Sequence, residues 1–238
     1  MAKKTLEGIE KFNRVHPVTN AVFTAVFAIL ALICIVPVIF IVIISFSSDT
    51  SIQQIGYSFI PQEWSLEAYS YLWNNREMIG RALVVSVVVT VVGCILGLYL
   101  TATMGYCLSR PNFKLKGFLT WVVFIPMIFS GGLVATYNVY TSVLHINNTL
   151  WVLILPLAVS SFNVTICKTF FRTTVPDEII ESAKIDGAPQ LRIFFQIVVP
   201  ISLPVLATMG LFTTIAYWND WWLSLMYIDD PNLFSLQA

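Results

Sequence analysis

Charged side chains are scarce in this sequence. Asp, Glu, Lys and Arg make up 11% of its 238 residues, whereas an ordinary soluble domain carries about 25%. The formal net charge is zero, so no basic excess offers a footprint for nucleic acid. Hydrophobic residues make up 57% of the chain and the mean hydropathy is +0.79. These values indicate an integral membrane protein whose surroundings are lipid, with no nucleic-acid partner.

Common catalytic motifs are also missing. The chain has two histidines, His16 and His145, and neither an HExxH nor a GxSxG pattern occurs, which argues against an intramembrane hydrolase. His145 is expected to be an exposed loop residue. Cys34, Cys94, Cys107 and Cys167 fall within or beside apolar runs without metal-ligand spacing, which predicts buried free thiols. We therefore expect no enzymatic activity, no cofactor and no metal.

Long uncharged runs dominate what is present, and they predict an all-α polytopic transmembrane helical bundle. Residues 17–48 contain no charged side chain, and neither do the 51 residues from Gly117 to Cys167, which are too many for one crossing. We divide that second run at Tyr137 to Thr149 and expect local unwinding at Ser130 to Gly132. The chain is then a single transmembrane domain, 1–238, with spans near 21–45, 82–108, 118–136, 150–167 and 201–219.

Shorter features accompany these spans. The first span is expected to bend near Pro37, and Gly93 with Gly97 forms a GxxxG step suited to close helix contact, although ordinary packing is the default interpretation. Ser65 is predicted to cap a short interfacial helix rich in aromatic residues. In the segment 1–20, apolar residues recur every third position between basic ones. This pattern fits an amphipathic helix on the membrane surface, or equally a frayed tail with a coincidental stripe.

Basic residues predict the orientation. With the amino terminus inside, the inner segments hold eleven Lys and Arg residues and the outer segments hold two, Arg76 and Arg81. Such an excess is typical of cytoplasmic loops. The amino terminus and the polar segment 168–200 are therefore predicted to be cytoplasmic.

The polar stretch from Pro176 to Pro204 is predicted to form two short helices joined by a tight bend. Pro176, Asp177 and Glu178 favour a helix start, Gly187 favours its end, and Pro189 favours a second start. Small residues beside isoleucines would let this bend enter a groove on a cytoplasmic partner, with Glu181 and Asp186 facing cations there. A merely solvated loop is the plainer alternative. Pro200 and Pro204 weaken the next helix and would allow it to pivot.

The same stretch carries a family resemblance. It contains Glu181-Ser182-Ala183, then three residues, Gly187, nine further residues and Ile197-Val198-Val199-Pro200. This pattern is similar to the EAA loop of ABC importer permeases, with Ser182 and Val199 as small departures. Softer similarity in Ile185–Ala188, Phe170-Phe171, Val175-Pro176 and Tyr217–Trp221 resembles the carbohydrate-uptake branch, the maltose-type and multiple-sugar permeases.

The resemblance implies a type I ABC importer permease fold in the bacterial plasma (inner) membrane. It implies three kinds of protein partner: a second homologous permease subunit, an ATPase subunit dimer and an extracellular solute-binding protein. It also implies a carbohydrate substrate. The family has six spans, and we expect the natural protein to carry the sixth, because its loss would expose the helices it packs against. The coupling residues predicted from the resemblance and from the bend are Glu181, Ser182, Ala183, Asp186, Gly187 and Ala188.

An ion-coupled secondary transporter is the alternative reading. No predicted span contains an ionisable Asp, Glu, Lys, Arg or His that would carry a coupling ion or proton, which disfavours it. The chain also has no GxxxxGK[ST] loop, so a partner must supply the energy. For the passage of a neutral sugar we expect stacking and hydrogen bonding by Tyr137, Asn138, Trp218 and Asn219, although apolar packing is the plainer role for each aromatic.

Overall fold

The computed structural model describes residues 16–238. The predicted amphipathic helix lies almost wholly outside the described residues. Within them the secondary structure is helical, and the only β feature is one isolated bridge between Ser47 and Trp64. The prediction of an all-α protein is therefore confirmed for the described part of the chain.

The first compact unit ends at Arg76. Its helices are α1 (Pro17–Ser45), α2 (Asp49–Ile55) and α3 (Glu67–Asn74). Helix α1 continues through Pro37. The Ser48 hydroxyl caps α2 by accepting from the Ser51 amide at 3.2 Å. The predicted cap of α3 is wrong by one residue: Leu66 occupies the N-cap, while Ser65 Oγ accepts from the Glu67 amide at 3.1 Å.

The second compact unit comprises residues 77–238. Its long helix α4 (Arg76–Ser109) begins at the boundary and is followed by short helices in place of long regular spans. These are α5 (Lys116–Ile128), α6 (Gly132–Asn138), α7 (Leu150–Ile154), α8 (Ser161–Thr174), α9 (Asp177–Ile185), α10 (Gln190–Ile193), α11 (Val199–Ile201), α12 (Leu203–Trp218) and α13 (Trp222–Tyr227).

Within residues 16–238, two helices, α1 and α4, are individually long and apolar enough to cross a membrane. Two more crossings are possible if bent pairs count as single spans: 150–157 with α8, bent by 46°, and 190–201 with α12, bent by 84°. Helix α5 is apolar but has only 13 residues. The five predicted spans thus correspond to two long helices, two bent pairs and one short helix.

Several predicted boundaries differ from the observed ones. The segment 118–136 is not one helix, because α5 ends at Ile128 and the chain unwinds before Gly132, where φ is +79°; the unwinding predicted at Ser130 to Gly132 is thereby confirmed. The predicted loop 137–149 is helical as far as Val143 through a wide π turn. The segment 168–200 does not begin as a loop, because α8 continues to Thr174. Helices extend past the point where polar residues begin, since exposed polar side chains do not interrupt backbone hydrogen bonding.

Glycines in α4 allow other helices to approach it closely. A methyl group placed on Gly97 would lie 2.9 Å from the carbonyl oxygen of Ala158, and one on Gly93 would clash with the Tyr217 ring. The Tyr217 hydroxyl then donates to the Ile154 carbonyl at 2.6 Å. The predicted GxxxG contact is therefore confirmed, and it joins α4 to both α12 and the segment after α7.

Gly105 and Gly80 provide a matched pair on α4. A methyl group on Gly105 would lie 2.7 Å from Cys167 Cβ, whereas one on Gly80 would meet nothing within 4 Å. We expect Gly105→Ala to lower the unfolding free energy by about 1–3 kcal/mol through overpacking. Gly80→Ala should be neutral or stabilise by up to about 1 kcal/mol through helix propensity. Thermal unfolding of the detergent-solubilised protein measures both changes in stability. Equal unfolding midpoints for the two variants would contradict the close contact between Gly105 and Cys167.

All four cysteines are free thiols, as predicted, but their predicted burial is correct only for Cys167. Cys34 is exposed on α1, and Cys94 and Cys107 are half-buried on α4. The sequence pattern placed them in apolar runs, and an apolar run need not be covered by the same chain.

Candidate functional site: the helix elbow

The polar stretch folds as two short helices, and we call α9, the turn 186–189 and α10 the elbow. Pro176 is the N-cap of α9, Asp177 and Glu178 occupy its first turn, and Lys184 lies in its last turn. This charge order complements the helix dipole at both ends. The predicted helix start is confirmed.

Gly187 ends α9 in a complete Schellman motif. Its φ is +78°, a left-handed conformation that glycine adopts without steric cost. Its amide donates to the Lys184 carbonyl at 3.0 Å, and the Ala188 amide donates to the Ala183 carbonyl at 3.0 Å. Pro189 then caps α10, which begins at Gln190. The predicted glycine stop and second start are both confirmed.

Beyond α10 the chain bends sharply at Ser202. A wide turn at 194–198 leads into α11, and the helical segment 190–201 meets α12 at 84°. Ser202 is fully buried, and its hydroxyl is one of three buried side-chain polar atoms without a partner within the described residues. Pro204 supplies no amide hydrogen. The series of helical backbone hydrogen bonds is therefore interrupted at the place where Pro200 and Pro204 predict a weakened helix.

Burial divides the predicted elbow residues into two groups. Glu181, Ser182, Asp186 and Gly187 are exposed. Ala183 is buried, with 8% of its surface exposed, and belongs to one core cluster with Phe171, Ile193 and Val198. Ala188 packs against that cluster. Ile180 belongs to the same cluster, at 3% exposure. The expectation that Ile180 and Ala183 face a partner is corrected, because both face this chain's own core.

The exposed apolar side chains of the elbow are different ones. Ile185 is 86% exposed and Leu191 is 70% exposed. They flank the turn at Gly187, with Asp186 beside them. Ile179 on α9 is a third exposed apolar side chain, at 39%. The surface of the elbow thus combines three apolar side chains with the carboxylates of Glu181 and Asp186.

Sequence reasoning missed Arg110 as a site residue, having used it only to predict orientation. It follows the last residue of α4, and its side chain is 12% exposed. It forms an ion pair with Asp177 at 2.6 Å and donates to the Phe171 carbonyl at 2.6 Å. Its position directly after an apolar helix was the available signal, but its partners are more than 60 positions away in sequence.

A cavity of about 370 Å³ lies between the end of α4 and the elbow. Its lining is mostly apolar and includes Phe113, Ile180, Leu191 and Phe194. Arg110, Asp177, Glu181 and Lys184 contribute its charged groups. The elbow is therefore attached to α4 at one side of this cavity and open to its surroundings at the other.

The predicted substrate-path residues fall on different elements. Tyr137 and Asn138 lie at the end of α6, on a helix and not in the predicted loop, while Trp218 ends α12 and Asn219 follows it as the C-cap. Tyr137 stacks on Tyr227 with ring centroids 5.5 Å apart. The aromatic partner Tyr227, on α13, was not selected from sequence. Tyr137 and Trp218 are 40% and 39% exposed, and Asn138 and Asn219 are also exposed.

Asp220 follows Asn219 and stabilises the start of α13. One carboxylate oxygen accepts from the Leu223 amide at 3.3 Å. Burial raises the pKa of Asp220, and the amides of Leu223 and Trp222 oppose this rise. The carboxylate is thus a helix-capping group on a partly desolvated surface.

The loop before α7 and the segment after α13 meet in a polar cluster. Asn148, with φ +54°, accepts from the Asp229 and Asp230 amides at 3.1 and 2.9 Å. His145 is exposed in the adjoining loop, as predicted. These contacts hold the segment after α13 against the loop before α7.

Comparison with known proteins identifies relatives along nearly the whole chain. Residues 93–237 match the family described as binding-protein-dependent transport system inner membrane component. The chain is 39% identical to the polygalacturonan/rhamnogalacturonan transport system permease protein YtcP of Bacillus subtilis (strain 168), over 87% of this chain and 72% of that protein. It is 37% identical to the protein LplC of the same organism, over 95% of this chain and 75% of that protein.

The fold has a counterpart among solved structures. A chain of a bacterial ABC transporter involved in the import of the acidic polysaccharide alginate matches with a TM-score of 0.81, covering 92% of this chain and 78% of that chain at 23% identity. The predicted permease fold is therefore confirmed, as is the predicted family. The chain belongs to the family of binding-protein-dependent transport system inner membrane components and is a transport permease.

Proposed function

We propose that this chain is the membrane-spanning permease subunit of an ABC importer for carbohydrates. In this proposal the elbow is the cytoplasmic coupling element, and ATP hydrolysis on a partner subunit drives alternating access through it. Glu181, Ser182, Ala183, Asp186, Gly187 and Ala188 form the coupling element. The family membership and the sugar-transport relatives support the proposal.

The single observation that carries the coupling role is the division of the elbow into an anchored face and an exposed face. Ile180 and Ala183 are buried in the core cluster, while Ile185 is 86% exposed. An element that transmits force needs firm packing on one side and a free surface on the other. The exposed side offers apolar side chains for a groove and carboxylates for cations.

The exposed carboxylates and apolar side chains suit an ATPase subunit dimer as the partner. A second homologous permease subunit and an extracellular solute-binding protein complete the proposed transporter. The chain lies in the bacterial plasma membrane with its amino terminus in the cytoplasm, which the excess of inner basic residues supports. The exposed surface of α1, with no buried residue in the helix, suits contact with lipid.

Carbohydrate is the proposed substrate class. YtcP is named as a permease for polygalacturonan and rhamnogalacturonan, and another relative, 26% identical over 94% of this chain, as a permease for arabinooligosaccharides. Sugars present hydroxyl groups and apolar ring faces, which suit the exposed Tyr137, Asn138, Trp218 and Asn219. These four residues form our proposed substrate path.

Tyr137 provides the sharpest test of that path. We expect Tyr137→Ala to raise the KM for sugar uptake roughly five- to tenfold, because a stacked ring contributes about 1 kcal/mol or more. Tyr137→Phe should stay within about twofold of wild type, since it keeps the ring. Uptake of labelled sugar measures both. An unchanged KM in Tyr137→Ala, with normal abundance in the membrane, would remove Tyr137 from the path.

The proposed function is tested by coexpressing the chain with candidate permease, ATPase and binding-protein partners, and reconstituting the complex in liposomes. We expect uptake of an oligosaccharide that requires both ATP and the binding protein. An ion-coupled secondary transporter would instead take up substrate without ATP and would stop when the proton or sodium gradient is collapsed. That second result would overturn the proposal.

A further inference from the structure

The geometry points to Arg110 as a positioning residue that fixes the elbow to the end of α4. This inference rests on the proposed function of the elbow as the coupling element. Arg110 lies immediately after α4, and its side chain is 12% exposed. A guanidinium group removed from water must find partners for its N–H groups, because an unpaired buried charge is costly.

The partners of Arg110 come from three elements. Its Nε donates to Ser109 Oγ at 2.9 Å, at the end of α4. Its terminal nitrogens donate to the Phe171 carbonyl at 2.6 Å and to the Val175 carbonyl at 3.2 Å, at the end of α8. One of them also contacts Asp177 Oδ1 at 2.6 Å, in the first turn of α9.

The arrangement requires arginine in particular. The carbonyl groups at the end of α8 carry the negative end of a helix dipole, and Asp177 adds a full negative charge beside them. The planar guanidinium group presents several donors in a fixed fork and can reach all of these acceptors together. Lysine would supply the charge but not the fork.

Tyr106, one turn earlier on α4, strengthens the same attachment. Arg110 lies over its ring, 5.3 Å from the centroid. The Tyr106 hydroxyl accepts from Gln190 Nε2 at 2.7 Å, and its ring lies 5.2 Å from that of Phe194. The last turn of α4 therefore contacts the first turn of α9 through Arg110 and the start of α10 through Tyr106. A displacement of the elbow must then displace the end of α4.

The test uses the reconstituted transporter and measures the number of ATP molecules hydrolysed for each sugar molecule imported. We expect Arg110→Gln to raise this ratio roughly tenfold, while the ATPase subunits still copurify. Arg110→Lys should fall between this variant and wild type. The matched control is Arg172→Gln: Arg172 is an exposed arginine in the last turn of α8, outside the elbow, and its substitution should leave the ratio unchanged.

Exchanging the charges of Arg110 and Asp177 distinguishes a guanidinium group that serves several acceptors from a simple ion pair. In Arg110→Asp combined with Asp177→Arg, an aspartate would face the Phe171 and Val175 carbonyls, which cannot donate to it. We therefore expect no recovery of the wild-type ratio. Full recovery would overturn the inference.

Hydrogen exchange reports on positioning directly. In Arg110→Gln we expect faster exchange of the amides of α9, with the amides of α12 unchanged, because only the attachment of the elbow is lost. Should Arg110→Gln fail to accumulate, Asp177→Asn removes only the ionic contact and should change the ratio and the exchange in the same direction by a smaller factor.

The two proposals fail differently. A wild-type transporter without ATP-dependent uptake would refute the proposed function. If the wild-type transporter shows such uptake and Arg110→Gln keeps the wild-type ratio of ATP to sugar and the wild-type hydrogen exchange, only the positioning role is refuted.

Discussion

Gly187→Asp is expected to abolish most sugar uptake while the protein still inserts into the membrane. Gly187 has φ +78°, and an L-residue in this conformation costs roughly 1–2 kcal/mol. Relief of this strain breaks the two Schellman hydrogen bonds and redirects α10 relative to α9. We expect uptake to fall about tenfold or more, with ATP hydrolysis continuing.

Gly56 supplies the control for this substitution. It has φ +81°, and like Gly187 it has nothing within 4 Å of an added methyl group. With ψ −169° as well, Gly56 lies in a region that is essentially restricted to glycine. Gly56→Asp therefore introduces at least as much local strain, at a turn outside the elbow, and should leave the ratio of ATP to sugar unchanged. Asn adopts left-handed conformations more readily than most residues, so Gly187→Asn should retain more uptake than Gly187→Asp. Wild-type uptake in Gly187→Asp would count decisively against the coupling role.

Ala183→Leu is the second substitution with a large expected effect. Ala183 is buried beside Phe171 and Ile193, with 8% of its surface exposed. Its carbonyl accepts a hydrogen bond from the Ala188 amide at 3.0 Å. The three extra carbon atoms of leucine overpack this site, which lowers the unfolding free energy by about 1–3 kcal/mol. The easiest relief is for α9 to move away from the core. We therefore expect the elbow to detach and uptake to uncouple from ATP hydrolysis.

The measurement is again the ratio of ATP to sugar in the reconstituted transporter, together with abundance in the membrane. Ala183→Ser is the small control, since its hydroxyl can donate to the carbonyl three residues earlier, as Ser182 does to Ile179 at 3.0 Å. It should behave nearly as wild type. A wild-type ratio in Ala183→Leu at normal abundance would show that α9 tolerates repacking without loss of coupling.

Local sequence signals predicted the elbow well because they act over a few residues. Pro176, Gly187 and Pro189 determine which backbone conformations are possible at their own positions. The helix start, the stop and the second start were therefore predictable. The direction that each side chain faces was not, because the burial of Ala183 depends on Phe171 and Ile193.

Span boundaries and long-range contacts were less predictable for the same reason. Composition locates apolar runs, but it does not report that α5 ends at Ile128 or that α8 continues to Thr174. The partners of Arg110 at the end of α8 and the start of α9 lie 61 to 67 positions away. Only the fold brings the end of α4 beside the ends of α8 and α9, so no local pattern could have identified this attachment.

The near-right angle at Ser202 determines how motion passes along the chain. Segment 190–201 and α12 meet at 84°, so a push directed along the first has almost no component along the axis of the second. Sliding of α12 through the bilayer is therefore a poor response to such a push. The geometry instead favours a sideways swing or a roll of α12, motions that widen or narrow a passage without dragging apolar side chains into water.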